Sequence, residues 1–355
     1  MRHRRGCSPR GGMSAWKHVC LGLGIGAALG ALLGRRPWHG PKQAPAAVQS
    51  RVVTVVRRPR TTGNHTVVMG QFNTRLRSAT VAAWASAWSR LRLVDDVFVA
   101  VPISTTGAPA PWTPADLEAD LSPYPAGKGL YVLTYPGDGG VISPSANLAF
   151  VIRTVGAAAR GVMYVHDDML VASSIIARLG NDAWITNNRR STLRLYPNGS
   201  VVGLAPGWMH TPACKAGFAR FARSPTAKPL LNASPFLVVG GGRADFLYVT
   251  TTSDEQVRIL LRLLDGVVQA RLFLECALPS VVEIMERLFD VPVYAAKLAQ
   301  DPPQLKTVLD LIAGDSARRA HPIPELMHPI KLNMVGILPW VAAFEAATGL
   351  ADGAP

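Results

Sequence analysis

The chain has no acidic residue before Asp95, although sixteen of its 37 Lys and Arg lie ahead of that point. The remainder holds 21 basic residues against 23 acidic ones, so the formal net charge of +14 belongs to a leader and not to the body. Nucleic-acid enzymes spread Lys and Arg over a working face. This distribution argues for no nucleic-acid partner.

Cysteine is scarce too. Of four cysteines, Cys7 and Cys20 fall in the leader, leaving Cys214 and Cys276 for the body. No Cys/His spacing suggests zinc. One disulfide and two separate buried thiols both fit the pair. Other absences narrow the chemistry. No Walker A loop and no G-x-G-x-x-G turn occur, which disfavours kinase and dinucleotide readings. No D-x-D follows the first expected strand, HTVVMGQF, as a hydrolase with an aspartyl nucleophile would require. No repeat of solenoid length is visible.

The leader does hold one apolar run, VCLGLGIGAALGALLG (Val19 to Gly34), flanked by Lys17 and by Arg35–Arg36. Extended to residues 15–34 it reads as an uncleaved signal anchor, with a cleaved signal peptide and an organelle transit peptide as alternatives. Residues 1–14 form a basic tail and residues 35–63 a Pro/Arg-rich stem. The folded domain is expected over residues 64–355. Three sequons, at Asn64, Asn198 and Asn232, suit a luminal body. The expected placement is therefore type II, in the Golgi or endoplasmic reticulum membrane, with the N-terminal helix in the bilayer.

The body alternates between two periodicities. Strands are expected at His65–Phe72, Asp95–Pro102, Gly129–Pro136, Gly161–Asp167, Ala183–Asn187, Asp245–Thr251 and Val291–Leu298. Helices are expected around Val81–Leu91, Ala146–Arg160, Met169–Leu179, Met209–Arg223, Pro279–Phe289 and Leu332–Ala347. Another runs from a capping box at Thr252 and Glu255. This pattern predicts an α/β fold with a Rossmann-type, mostly parallel central sheet and helices on both faces. Ligands of such sheets bind beyond the carboxyl ends of the strands.

That rule draws attention to GVMYVHDDMLVAS (Gly161 to Ser173). Asp167 and Asp168 stand at the carboxyl end of an expected buried strand. Hard oxygen ligands there suit Mn²⁺ or Mg²⁺ on a phosphate ester. The alternative is that one of them caps a helix starting near Met169. Glu275, in RLFLECALPS, either caps the helix opened by Pro279 or acts as a general base.

The run GVMYVHDD resembles the D-x-D region of GT-A-fold glycosyltransferases, with His166 in place of the first acid. The resemblance extends in order along the chain, over about Asn64 to Ala347. It implies a transferase moving a sugar from a nucleotide-diphosphate sugar to an acceptor hydroxyl on a glycan, lipid or protein. It implies that Asp167 and Asp168 hold the metal, with His328 of MHPIKL as a further ligand. Asn73 and Arg75 of GQFNTR, with Lys331, would bind the donor nucleotide. The glycine run of VVGGGRAD would shape an acceptor loop, and Asp245 or Glu275 would activate the acceptor. For Asn73 and Arg75 a turn and a solvated helix start are the alternative. Two rival functions stand beside this one: another metal-dependent phosphate-ester enzyme (a nucleotidyltransferase or phosphohydrolase), and an inactive transferase-fold scaffold or carbohydrate-binding protein.

Overall fold

The computed structural model describes residues 52–57, 65–72, 76–103, 112–121, 124–136, 142–180, 183–188, 190–205, 208–299, 309–310, 313, 324–330 and 336–350. The expected anchor at 15–34 lies outside them. Among the described residues no helix is long and apolar enough to cross a membrane.

Among the described residues the first elements are β1 (Val52–Arg57), β2 (His65–Gln71), α1 (Ser78–Ser89), β3 (Val94–Ile103), α2 (Pro114–Ala119) and β4 (Gly129–Pro136). There follow α3 (Ser143–Val155), β5 (Ala159–His166), β6 (Leu170–Val171), α4 (Ser173–Ile176) and β7 (Trp184–Asn187). Next come β8 (Arg190–Leu195), β9 (Val201–Val202), α5 (Thr211–Ala222), α6 (Ala227–Asn232), β10 (Leu237–Gly242) and β11 (Phe246–Thr250). The last are α7 (Asp254–Gln269), α8 (Leu274–Leu288), β12 (Val293–Ala296), β13 (Leu298–Ala299), β14 (Leu326–Met327) and α9 (Ile337–Thr348).

Eight strands form one sheet in the order β1-β4-β3-β2-β5-β11-β7-β12. The pairs β4/β3, β3/β2, β2/β5 and β7/β12 are parallel; β1/β4, β5/β11 and β11/β7 are antiparallel. Only β1 and β11 therefore run against the rest. The outer strand β1 is VVTVVR, so the sheet takes in part of the segment read as stem.

Both faces of the sheet are covered. Along β5, Val162 and Tyr164 face one core with Leu148, Phe218, Leu260 and Val281, while Met163 and Val165 face the other with Trp84, Trp88, Trp340 and Phe344. Double burial explains why β5 reads as an unbroken apolar run. The terminal helix α9 closes the second core against α1, with Phe344 and Trp88 rings 4.7 Å apart and Trp340 stacked 6.5 Å from Trp84. Gly70 in β2 makes room for α1, because a Cβ there would lie 2.3 Å from the Trp84 ring.

Several local expectations give way to tertiary structure. The helix expected at Ala146–Arg160 starts earlier, at Ser143, and ends at Val155, since Ala159 already pairs with His65 of β2. The capping box at Thr252 and Glu255 moves by one residue: Ser253 is the N-cap and accepts from the Gln256 amide. Helix α8 begins at Leu274 and carries Pro279 inside it, so Glu275 lies in its first turn and caps no helix opened by Pro279. The glycine run is no loop. Gly240 to Gly242 belong to β10, in a small sheet ordered β10-β8-β9. A Cβ on Gly240 would lie 2.4 Å from the Pro279 carbonyl oxygen, so glycine there lets β10 lie flush against α8. Cys214 of α5 and Cys276 of α8 are joined as a disulfide, which settles the choice the sequence left open.

Candidate metal centre

The site is built where β5 ends. The Met169 amide donates to the His166 carbonyl, closing a turn through Asp167 and Asp168. No helix follows. Leu170 and Val171 form β6, which pairs antiparallel with β14, Met327 opposite Leu170 and Leu326 opposite Val171. The helix expected from Met169 to Leu179 is thus replaced by a strand and the one-turn α4, whose N-cap is Ala172. The helix-cap reading of the carboxylate pair falls with it. An apolar run this short suits either element, and a partner strand from far down the chain decides the matter.

The β6/β14 pairing delivers His328. It follows Met327 directly, and its Nε2 lies 3.0 Å from Asp168 Oδ1. The Ile330 amide donates to the Asp168 carbonyl at 2.6 Å, and the Ala172 amide to that of Glu325 at 2.9 Å.

Asp245 arrives from the other side. Because β11 runs antiparallel to β5, its first residues meet the last of β5, and the His166 amide donates to the Asp245 carbonyl at 3.0 Å. Asp245 Oδ2 is 3.3 Å from His328 Nδ1, and Asp245 Oδ1 is 3.8 Å from His166 Nδ1. The other nitrogen of His166 lies 2.6 Å from the Tyr164 hydroxyl. Tyr164 and His166, two residues apart on one strand, share a face.

Every member is buried: His166, Asp167, Asp168, Asp245 and His328 are each at most 9% exposed. Burial pulls the His328 imidazole down, but the Asp168 hydrogen bond and the charges of Asp245 and Asp168 outweigh it, so its pKa is raised; Arg243 opposes them. Burial, with the nearby Asp245, holds the Tyr164 phenol well above its ordinary value, so it stays neutral. Glu275 sits at the edge of this field, with Arg243 Nη1 3.4 Å from its carboxylate. Burial raises its pKa against the pull of Arg243, and Asp245 raises it further.

One potential ligand atom each from His166, Asp245 and His328 falls within 4.8 Å of the others. Two imidazoles and a carboxylate, buried and convergent, have the donor chemistry of a divalent-metal site. The expected set was Asp167, Asp168 and His328. The structure places His328 in the convergent group, Asp168 against it, and Asp167 in the adjoining turn. There the Asp167 amide donates to the Gln71 carbonyl at the end of β2. His166, read as standing in place of the motif's first acid, is one of the three converging side chains. Its alternation with Tyr164 was the available signal. Asp245, read as a residue that activates the acceptor, is the third member of the group.

A polar floor lies beside the turn. Gln71 accepts from Asn147 Nδ2 at 3.0 Å, and the Tyr135 hydroxyl donates to the Phe72 carbonyl at 2.8 Å. These residues end β2 and β4 and begin α3, at the place where the strand order reverses direction. The three expected nucleotide contacts, Asn73, Arg75 and Lys331, lie outside the described residues. A cavity of about 160 Å³ lined by Leu230, Phe236, Leu237, Arg287 and Leu288 shares no residue with the site.

The sequence matches no protein-family model and no curated protein.

Proposed function

We propose that the chain is a divalent-metal-dependent glycosyltransferase resembling the GT-A fold, acting on a nucleotide-diphosphate sugar. The observation that carries the proposal is the convergence of His166, Asp245 and His328, with Asp168 against His328, at the carboxyl edge of β5. That edge borders the reversal of strand order between β2 and β5, where open α/β sheets place their ligands.

His166, Asp245 and His328 would hold the ion, with Asp168 orienting the His328 ring. The bound ion supplies charge neutralisation to a departing diphosphate. Tyr164 would fix the tautomer of His166 from behind, and Asp168 would back His328 in the same way. Glu275, at the start of α8 and beside Arg243, would take the proton of an acceptor hydroxyl. Two imidazoles make this donor set softer than a pair of carboxylates, which favours Mn²⁺ over Mg²⁺. Asn73, Arg75 and Lys331 remain the proposed donor-nucleotide residues, and a glycan, lipid or protein hydroxyl the acceptor.

A second reading, the inactive scaffold, is favoured by one specific observation. His328 directs both ring nitrogens at carboxylates, so a protonated imidazole could satisfy the cluster without an ion. Incubating the purified protein with UDP-, GDP- and CMP-sugars, with and without Mn²⁺, separates the two. Metal-dependent release or transfer of sugar supports the enzyme. Absence of nucleotide binding in Mn²⁺ sinks the transferase and leaves the scaffold.

A further inference from the structure

We infer that Asn198 carries an N-linked glycan and that Asn232 does not. The inference stands apart from the proposed transfer chemistry, because it concerns the chain as a substrate and a different region of the fold.

Asn198–Gly199–Ser200 forms the connection between β8 and β9. The Tyr196 amide donates to the Ser200 carbonyl at 2.9 Å, and the Gly199 amide to the Tyr196 carbonyl at 2.8 Å. Within that turn, Asn198 Oδ1 accepts from both the Ser200 amide at 2.9 Å and the Ser200 hydroxyl at 2.8 Å. The two hydrogen bonds engage the amide oxygen, so the exposed Nδ2 is the end of the side chain that the turn does not hold. Asn198 and Ser200 are both exposed. Gly199 has φ +85°, and a Cβ on it would lie 2.9 Å from Cα of Ala219 in α5, so the turn is backed by a helix and keeps this shape.

The reaction needs a sugar carried on a lipid diphosphate. Nδ2 of Asn198 attacks the anomeric carbon, a C–N bond forms, the C–O bond to the diphosphate breaks, and one amide proton is released as the lipid diphosphate leaves. No electrons change hands.

Asn232 is also exposed, but it is the last residue of α6. Its backbone is helical, no hydrogen bond joins it to Ser234 among the described residues, and Pro235 follows the sequon. A second observation points to the compartment in which glycans are added: Cys214 and Cys276 are disulfide-bonded, as is usual of chains folded in an oxidising lumen.

The test is site-resolved mass spectrometry of the full-length chain made in cultured animal cells. Peptides are released with and without peptide N-glycosidase, which converts a glycosylated Asn to Asp. Conversion at Asn198 and none at Asn232 is expected. Asn198→Gln should remove one mobility step on a denaturing gel, Ser200→Thr should keep it, and Asn232→Gln should change nothing. An unmodified Asn198 peptide, or conversion at Asn232, overturns the inference. Because the wild-type peptides are read directly, a variant that fails to fold does not obscure the result.

Discussion

His328 Nε2 lies 3.0 Å from Asp168 Oδ1, and a two-residue strand pair is what brings them together. Neither residue's neighbourhood in sequence contains the other. The contact exists because Leu326–Met327 zips against Leu170–Val171, four residues that are each fully buried. Replacing Met327 by Asp should therefore damage the site without touching a ligand. A buried unpaired carboxylate should cost at least about 2 kcal/mol of stability and loosen the His328 position. Chemical denaturation together with metal titration reads both effects.

Tyr164 offers a sharper test of the metal centre. Its hydroxyl is 2.6 Å from His166 and belongs to no expected ligand. If it fixes the His166 tautomer, Tyr164→Phe should lower metal affinity by about 10–100-fold. The fold should survive, since the ring remains. Unchanged affinity would confine Tyr164 to packing.

The Cys214–Cys276 bridge links residues 62 apart in sequence. The loop-entropy model puts its contribution near 4 kcal/mol. Thermal unfolding with and without reductant should show a marked loss of stability on reduction, and Cys276→Ala should reproduce it. Equal melting in both conditions would contradict this.

Gly240 packs β10 against α8 so closely that one methyl group meets the Pro279 backbone. Gly240→Ala should destabilise by about 1–3 kcal/mol, the usual range for overpacking. Urea midpoints read this directly.

Asp96 supplies a pH dependence. It is buried 3.2 Å from His65, and burial, helped by the charge of Asp95, raises its carboxyl above 3.8 against the pull of His65 and of the Gly129 backbone. Just above that value the folded chain holds a proton that the unfolded chain has released. The contribution of Asp96 to stability must therefore fall as pH rises through the folded pKa. As pH rises from about 4, wild type should lose stability relative to Asp96→Asn. A difference that grows in the other direction would show that His65 dominates.

The layered α/β plan was legible in the sequence because it depends on local period. β2, β4 and β11 are built on short apolar runs (VVMG, LYVL and FLYV), and α7 on an amphipathic stripe. What escaped depends on distant partners. β6 looked helical because MLVAS has no period long enough to decide, and only β14 makes it a strand. The glycines of β10 looked like a loop because the approach of α8 is invisible from VVGGG alone. In the same way, Asp168 and His328 were recognisable one by one. The convergence of His166 with them was not legible, because β11 has to fold back antiparallel before Asp245 faces it.

The central claim is that His166, Asp245 and His328 hold one divalent ion. Calorimetric titration of Mn²⁺ into the purified, metal-stripped protein tests it most directly, with Asp245→Asn and His328→Ala run beside wild type. Wild type should show a single site and each variant at least about tenfold weaker binding, given that even residues behind the ligands are worth about 10–100-fold. Absence of binding in wild type, or equal binding by all three proteins, would contradict it.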